Sequence, residues 1–242
     1  GMLLPAISNL HANKKENEIR TLVHDAERYV ALICIPLVAM TIVWSSEIIL
    51  VFLSKEFLPA SNILKILALV ALVRVLNRPW SVALRGSDRP DLTSILSIFS
   101  SILSIILMLV LVPKRIPQLG LENLFGLGGE GAAYAVLISE ITVGLSLRIL
   151  SYKYLKILPK SNFFVQLIVA TIVGLVMWQV QEAITVDRWF ELFFISGLGG
   201  LLFLSILSMI GSFTQKDFNF FWNTLNPKSM KQYVGEELKR DR

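Results

Sequence analysis

Six long apolar runs alternate with short polar connections along this chain. The runs cover Tyr29–Leu53, Leu58–Leu84, Leu92–Val112, Gly131–Leu150, Phe163–Val180 and Trp189–Gly211. Each is close to the roughly 20 residues that a helix needs to cross a bilayer. The spacing therefore predicts six membrane-crossing helices, with Pro36 kinking the first and Pro113 closing the third. Residues 1–10 are apolar but too short to span, and read as the end of a helix. Residues 11–28, HANKKENEIRTLVHDAER, are polar and helical in part. The tail, 214–242, carries one apolar face (Phe218, Phe221, Trp222, Leu225) ahead of Pro227, the pattern of a short helix lying on a membrane surface. The expected organisation is a connection over 1–28, a six-helix bundle over 29–213 and an amphipathic tail over 214–242.

Composition agrees with an all-α polytopic membrane bundle. Of 242 residues, 54% are hydrophobic, and mean hydropathy is +0.64. The net charge of +5 sits between apolar runs, so topology explains it better than nucleic-acid binding does. Counted by alternate connections, sixteen Lys and Arg fall on one side and four on the other. The bias predicts that both ends are cytoplasmic. Cys34 is alone and rules out an internal disulfide. The chain opens GMLLPAISNL, without the charged-then-apolar order of a signal peptide. Its first residue, Gly1, points to a fragment or an expression scar.

The second run breaks the apolar pattern. Arg74 and Arg78 lie near its middle, where each arginine costs roughly 2.5–3.5 kcal/mol on insertion scales. At 100° per residue, Arg74, Asn77, Arg78, Ser81 and Arg85 share roughly 100° of arc, while Lys65 lies opposite. A stripe like this belongs against a protein interior or a watery cavity. Its guanidinium groups suit phosphate or pyrophosphate, which they bind with paired donors. The competing account is a structural ion pair, with Glu140 of the fourth run as the partner for the arginines. Asp88 and Asp91 are within reach of Arg85 at the surface. Glu140 could instead be a proton or sodium site, and Glu47 reads as interfacial.

Small residues are weighed as packing. Ser94, Ser97, Ser101 and Ser104 on the third run, Ala170 and Gly174 on the fifth, and Gly197, Gly199 and Gly200 on the sixth let helices approach closely. Trp80, Trp178 and Trp189 read as an aromatic belt. LGGEG, 127–131, lacks the following Lys-Ser/Thr of a phosphate loop. With no catalytic triad, paired carboxylates or metal cluster, the sequence reads as a non-enzyme needing no cofactor.

Several segments resemble the oligosaccharide flippase branch of the multidrug/oligosaccharidyl-lipid/polysaccharide exporter superfamily. They are LLPAISNLHANKKENEIR, IPL at 35–37, ALRGSDRPDL at 83–92 and GLGGEGAAYA at 126–135. The last resembles the family's Pro-x-x-Gly-x-x-Gly-Ala-Ala pattern, with an insertion between Pro113 or Pro117 and the glycines. The resemblance runs over most of 1–160. It implies two helical bundles around a cationic cavity that alternately faces each side, and no bond broken. It further implies a multi-pass protein of the cytoplasmic membrane, with membrane lipid, a polyprenyl-pyrophosphate-linked glycan and a missing N-terminal helical half as partners. Arg74, Asn77, Arg78 and Arg85 fit the substrate-binding role. Two alternatives stand beside this: a cation-coupled multidrug exporter of the same superfamily, and a non-transporting scaffold of a glycan-synthesis complex.

Overall fold

The computed structural model describes residues 3–116, 123–158, 162–184, 186, 188–215 and 217. The apolar side of the predicted tail, 218–242, and Pro117 lie outside the described residues. The elements in order are α1 (Leu3–Ala12), α2 (Glu16–Val43), α3 (Ser45–Phe52), a 3-10 turn (Lys55–Ala60), α4 (Ser61–Gly86), α5 (Pro90–Leu111), α6 (Gly128–Leu155), α7 (Asn162–Ala183) and α8 (Trp189–Met209). Among the described residues, six stretches are long and apolar enough to cross a membrane. Each overlaps one of the six runs read from the sequence.

The first span differs from expectation at both ends. α2 begins at Glu16, so the polar segment before Tyr29 is helical and continuous with the span. The helix is continuous through Pro36 and ends at Trp44, whose backbone leaves helical values at φ −91 and ψ 21. Hydrogen bonds still cross the break, from Trp44 N–H to the Met40 carbonyl and from Ile48 N–H to the Trp44 carbonyl, both 2.9 Å. The Trp44 ring is fully buried in the core, and α3 follows directly from it.

α4 is the central element. It packs on α2 and α1, and on α5 and α6. Two apolar clusters form on either side of it. One joins α2, α4, α7 and α8 around Trp44, Met40, Leu72, Leu76 and Phe203. The other joins α1, α2, α4 and α6 around Ile7, Trp80, Leu84 and Leu147. Long apolar side chains such as Ile98, Ile102, Leu145, Ile149, Phe193 and Phe194 point outward. In a bilayer those positions face hydrocarbon, so their exposure carries no penalty.

The glycine-rich loop has a structural job. After α5 the chain returns alongside it: Leu124 N–H donates to the Lys114 carbonyl, Gly126 N–H to Pro113, Leu127 N–H to Leu111 and Gly128 N–H to Val112, at 2.9–3.1 Å. α6 then starts hard against the end of α5. A Cβ on Gly131 would lie 2.6 Å from the Leu111 carbonyl oxygen, a backbone atom with little room to give. Gly131→Ala is therefore expected to lose about 1–3 kcal/mol by overpacking, read as a lower unfolding temperature in detergent. Gly200, where an added Cβ meets nothing within 4 Å, is the control: Gly200→Ala in the interior of α8 should be neutral or stabilising, by up to about 1 kcal/mol from the helix preference of alanine. Equal effects at the two positions would refute the close approach.

Some of the small residues pack as expected. Ala170 is buried, and a Cβ on Gly199 would strike the Met40 sulfur at 2.5 Å. Gly197, like Gly200, touches nothing. Trp178 and Trp189 are exposed, but Trp80 is wholly buried and belongs to the core, not to a belt. The reason lies in α4 itself, where Trp80 sits on the side packed by α1, α2 and α6.

Candidate functional site: a cationic cavity between α4, α5 and α6

A cavity of about 700 Å³ opens between α4, α5 and α6. The helical repeat of α4 brings Arg74, Asn77, Arg78, Ser81 and Arg85 onto its wall, as the 100° arc predicted. Glu140 and Ser139 come from α6. The wall contributed by α5 is hydroxyl-rich: Thr93, Ser97, Ser100, Ser101 and Ser104.

The serines correct the packing account. No residue of α5 is fully buried, and the serine face looks into the cavity instead of into a helix–helix seam. Serine can do this because its hydroxyl needs no partner helix. Ser101 Oγ donates to the Ser97 carbonyl at 3.1 Å, and Ser94 Oγ to the Pro90 carbonyl at 3.0 Å.

The arginines divide into two kinds. Arg74 is paired: its Nε and Nη2 donate to Glu140 Oε1 at 2.9 and 2.7 Å. The structural ion pair expected from the sequence therefore forms at Arg74. Arg78 is exposed to the cavity, and no carboxylate among the described residues pairs with it. Among the described residues, Arg85 donates to the Ser81 carbonyl, at 3.4 Å. The expected surface pairs of Arg85 do not form, because Asp88 turns out to solvent beside His11, 3.9 Å away. Two guanidinium groups thus face the cavity without a counter-charge among the described residues.

Asn77 is buried and tightly held. Its Nδ2 donates to the Glu140 backbone carbonyl at 3.0 Å, and its Oδ1 accepts from Arg148 Nη1 at 3.0 Å. This contact needs Gly144 on α6, since a Cβ there would lie 2.5 Å from Asn77 Oδ1. Arg148 also donates to the Gly144 carbonyl at 3.1 Å and to Glu27 Oε1 at 2.7 Å. Its guanidinium lies 5.2 Å from the Trp80 ring centroid.

The sequence reading missed both ends of this second ion pair. Arg148 counted as a connection charge and Glu27 as part of the polar leader. One signal was present: Arg148 lies eight residues after Glu140, within about 80° of it on the same helix, so it extends the polar face of α6. Nothing in the sequence linked it to Glu27. Glu47, near the end of the first span, accepts a hydrogen bond from Gln181 at 2.8 Å. Lys65 does lie away from the cavity, on the wall of an apolar crevice between α2, α4 and α7.

Chemically, the arrangement can hold a polyanion by charge and its polar substituents by hydroxyl hydrogen bonds. Among the described residues, no group of three or more His, Cys, Asp and Glu could hold a metal ion.

Residues 3–110 match the family model MatE. The fold superposes on that of the lipid II flippase MurJ in its inward closed conformation, with a TM-score of 0.65 and 18% identity. The match covers 86% of this chain and 42% of that one, so this chain spans less than half the length of the flippase. No curated protein sequence matches the chain.

Proposed function

We propose that this chain is part of a member of the multidrug/oligosaccharidyl-lipid/polysaccharide exporter superfamily, a reading supported by the MatE match over residues 3–110 and by the likeness in fold to the lipid II flippase, and that it is one helical bundle of a flippase for a lipid-linked oligosaccharide. The observation that carries the reading is the pair of uncompensated arginines, Arg78 and Arg85, in a cavity within the membrane-crossing helices. Buried or intramembrane cations without a partner are costly and mark ligand paths. A polyprenyl-linked pyrophosphate supplies the missing negative charge. Its sugars have the hydroxyl wall of α5 to bond with, while the polyprenyl tail stays in lipid.

In this reading both ends of the chain are cytoplasmic and the bundle spans 29–213. A second bundle, an N-terminal half, closes the cavity from the other side. Rocking of the two bundles changes which face the head group meets. No bond is broken, and the glycan is delivered across the cytoplasmic membrane for cell-surface polysaccharide synthesis.

The test is binding of a polyprenyl-pyrophosphate glycan to the protein in nanodiscs, followed by head-group translocation in vesicles once a second bundle is supplied. Absence of binding by a folded protein would reject the reading.

The ion pair discriminates against the exporter alternative. A cation-coupled exporter needs the Glu140 carboxylate, whereas an anion carrier gains from its removal. Glu140→Gln frees Arg74 as a third cation. Because Arg74 is largely exposed, at 63%, the lost pair should cost no more than about 1 kcal/mol in stability. Pyrophosphate binding is expected to tighten several-fold. A Glu140→Gln variant that binds cationic dyes less well and pyrophosphate no better would favour the exporter.

A further inference from the structure

Behind the cavity wall, Arg148 makes contacts that determine how the wall is presented. It does not itself line the cavity. Its Nη1 is shared between Asn77 Oδ1 and the Gly144 carbonyl, and its Nη2 is taken by Glu27 Oε1. Trp80, fully buried, closes one face of the guanidinium.

A guanidinium can only donate. The atom of Asn77 that meets it must therefore be the oxygen. That fixes the amide: Nδ2 is turned towards α6, where it donates to the Glu140 carbonyl. Arg148 thus selects one of the two orientations of the Asn77 amide. The selected orientation ties α4 to α6 at the residue whose side chain holds Arg74. Glu27 in turn keeps Arg148 from swinging out, from a third helix, α2.

We propose that Arg148 is a positioning residue for the anion site, anchored by Glu27, and that it acts by setting the Asn77 amide and through it the α4–α6 spacing across which Arg74 and Glu140 meet. The inference rests on the proposed binding of a lipid pyrophosphate. It adds residues that touch neither the cavity nor the ligand.

A charge-exchanged variant separates positioning from simple bracing. Glu27→Arg/Arg148→Glu restores an ion pair between α2 and α6 but puts an acceptor where Asn77 needs a donor. Binding of a polyprenyl pyrophosphate to the full chain in nanodiscs is measured beside thermal unfolding. The single Arg148→Met variant should lose both stability and affinity. The exchanged variant should recover stability while its affinity stays about tenfold down, the scale of one charged hydrogen bond. The salt dependence of binding should match the parent's, because Arg78 and Arg85 still supply the charge.

Affinity that returns together with stability overturns the proposal, as does an Arg148→Met variant that binds like the parent. Should the exchanged chain not fold, Arg148→Lys carries the test. Its ammonium keeps the pair with Glu27 but lacks the fork that bridges Glu27, Asn77 and Gly144 together. Near-parental stability with weakened binding supports positioning; parental binding overturns it. A parent protein that does not bind the probe rejects the function reading, and this inference with it. A parent that binds, with variants that bind equally, rejects this inference alone.

Discussion

Arg78→Ala is expected to weaken binding of a polyprenyl-pyrophosphate glycan by at least about tenfold, and Arg78→Ala/Arg85→Ala to remove it at accessible concentrations. Hydrogen bonds to charged groups contribute about 1.5–3 kcal/mol each, and tenfold corresponds to about 1.4 kcal/mol. The ranking among the arginines follows from their partners. Arg74 spends two donors on Glu140, so an incoming phosphate must first compete with a carboxylate. Arg78 has no such competitor, and Arg85 gives a single long bond to a backbone carbonyl. Arg74→Ala should therefore weaken binding less than Arg78→Ala. Stability should move little in either case, since neither Arg78 nor Arg85 is buried. Nanodisc titrations of the two single variants and the double variant check the order. If Arg74→Ala is the most damaging and Arg78→Ala is neutral, Glu140 is part of the ligand-binding unit and the free-cation argument fails.

Trp80→Ala is expected to be the most destabilising single change, at about 3–5 kcal/mol. The ring is fully buried at the meeting of α1, α2, α4 and α6. Between membrane helices there is no water-driven burial to lose, so the cost is lost van der Waals contact and the void left behind. The change also strips Arg148 of the aromatic face it lies against. Trp80→Phe keeps a ring there and should recover more than half of the loss. Thermal unfolding in detergent measures both. An alanine variant as stable as the parent would mean that the site collapses without cost and that the second apolar cluster does not hold the bundle.

The six crossings were legible because apolar runs of membrane length are the strongest signal a sequence carries. The shared face of Arg74, Asn77, Arg78 and Arg85 was legible for a similar reason: within one helix, spacing alone decides which residues are neighbours. What was hidden lay between helices. Glu27 and Arg148 meet across α2 and α6 from positions far apart in the chain, and each looked like an ordinary flanking charge. The serines of α5 carried a true periodicity, but periodicity names a face without saying what that face meets. Trp80 was misjudged because its place near a span end outweighed its place on the packed side of α4. The break at Trp44 had no signal to compete with Pro36, the residue that most often interrupts a helix.

α5 is joined to α4 by the short turn Ser87–Arg89 and to α6 by the paired return after Lys114, yet it lends no fully buried residue to either cluster. It is the replaceable panel of the cavity. In the proposed reading, exchanging its inward residues would change which sugar hydroxyls find a partner while the frame of α2, α4 and α6 stays as it is. Divergence in glycan preference among chains of this build would then accumulate in the twenty-two residues of Pro90–Leu111 faster than in the arginine helix opposite.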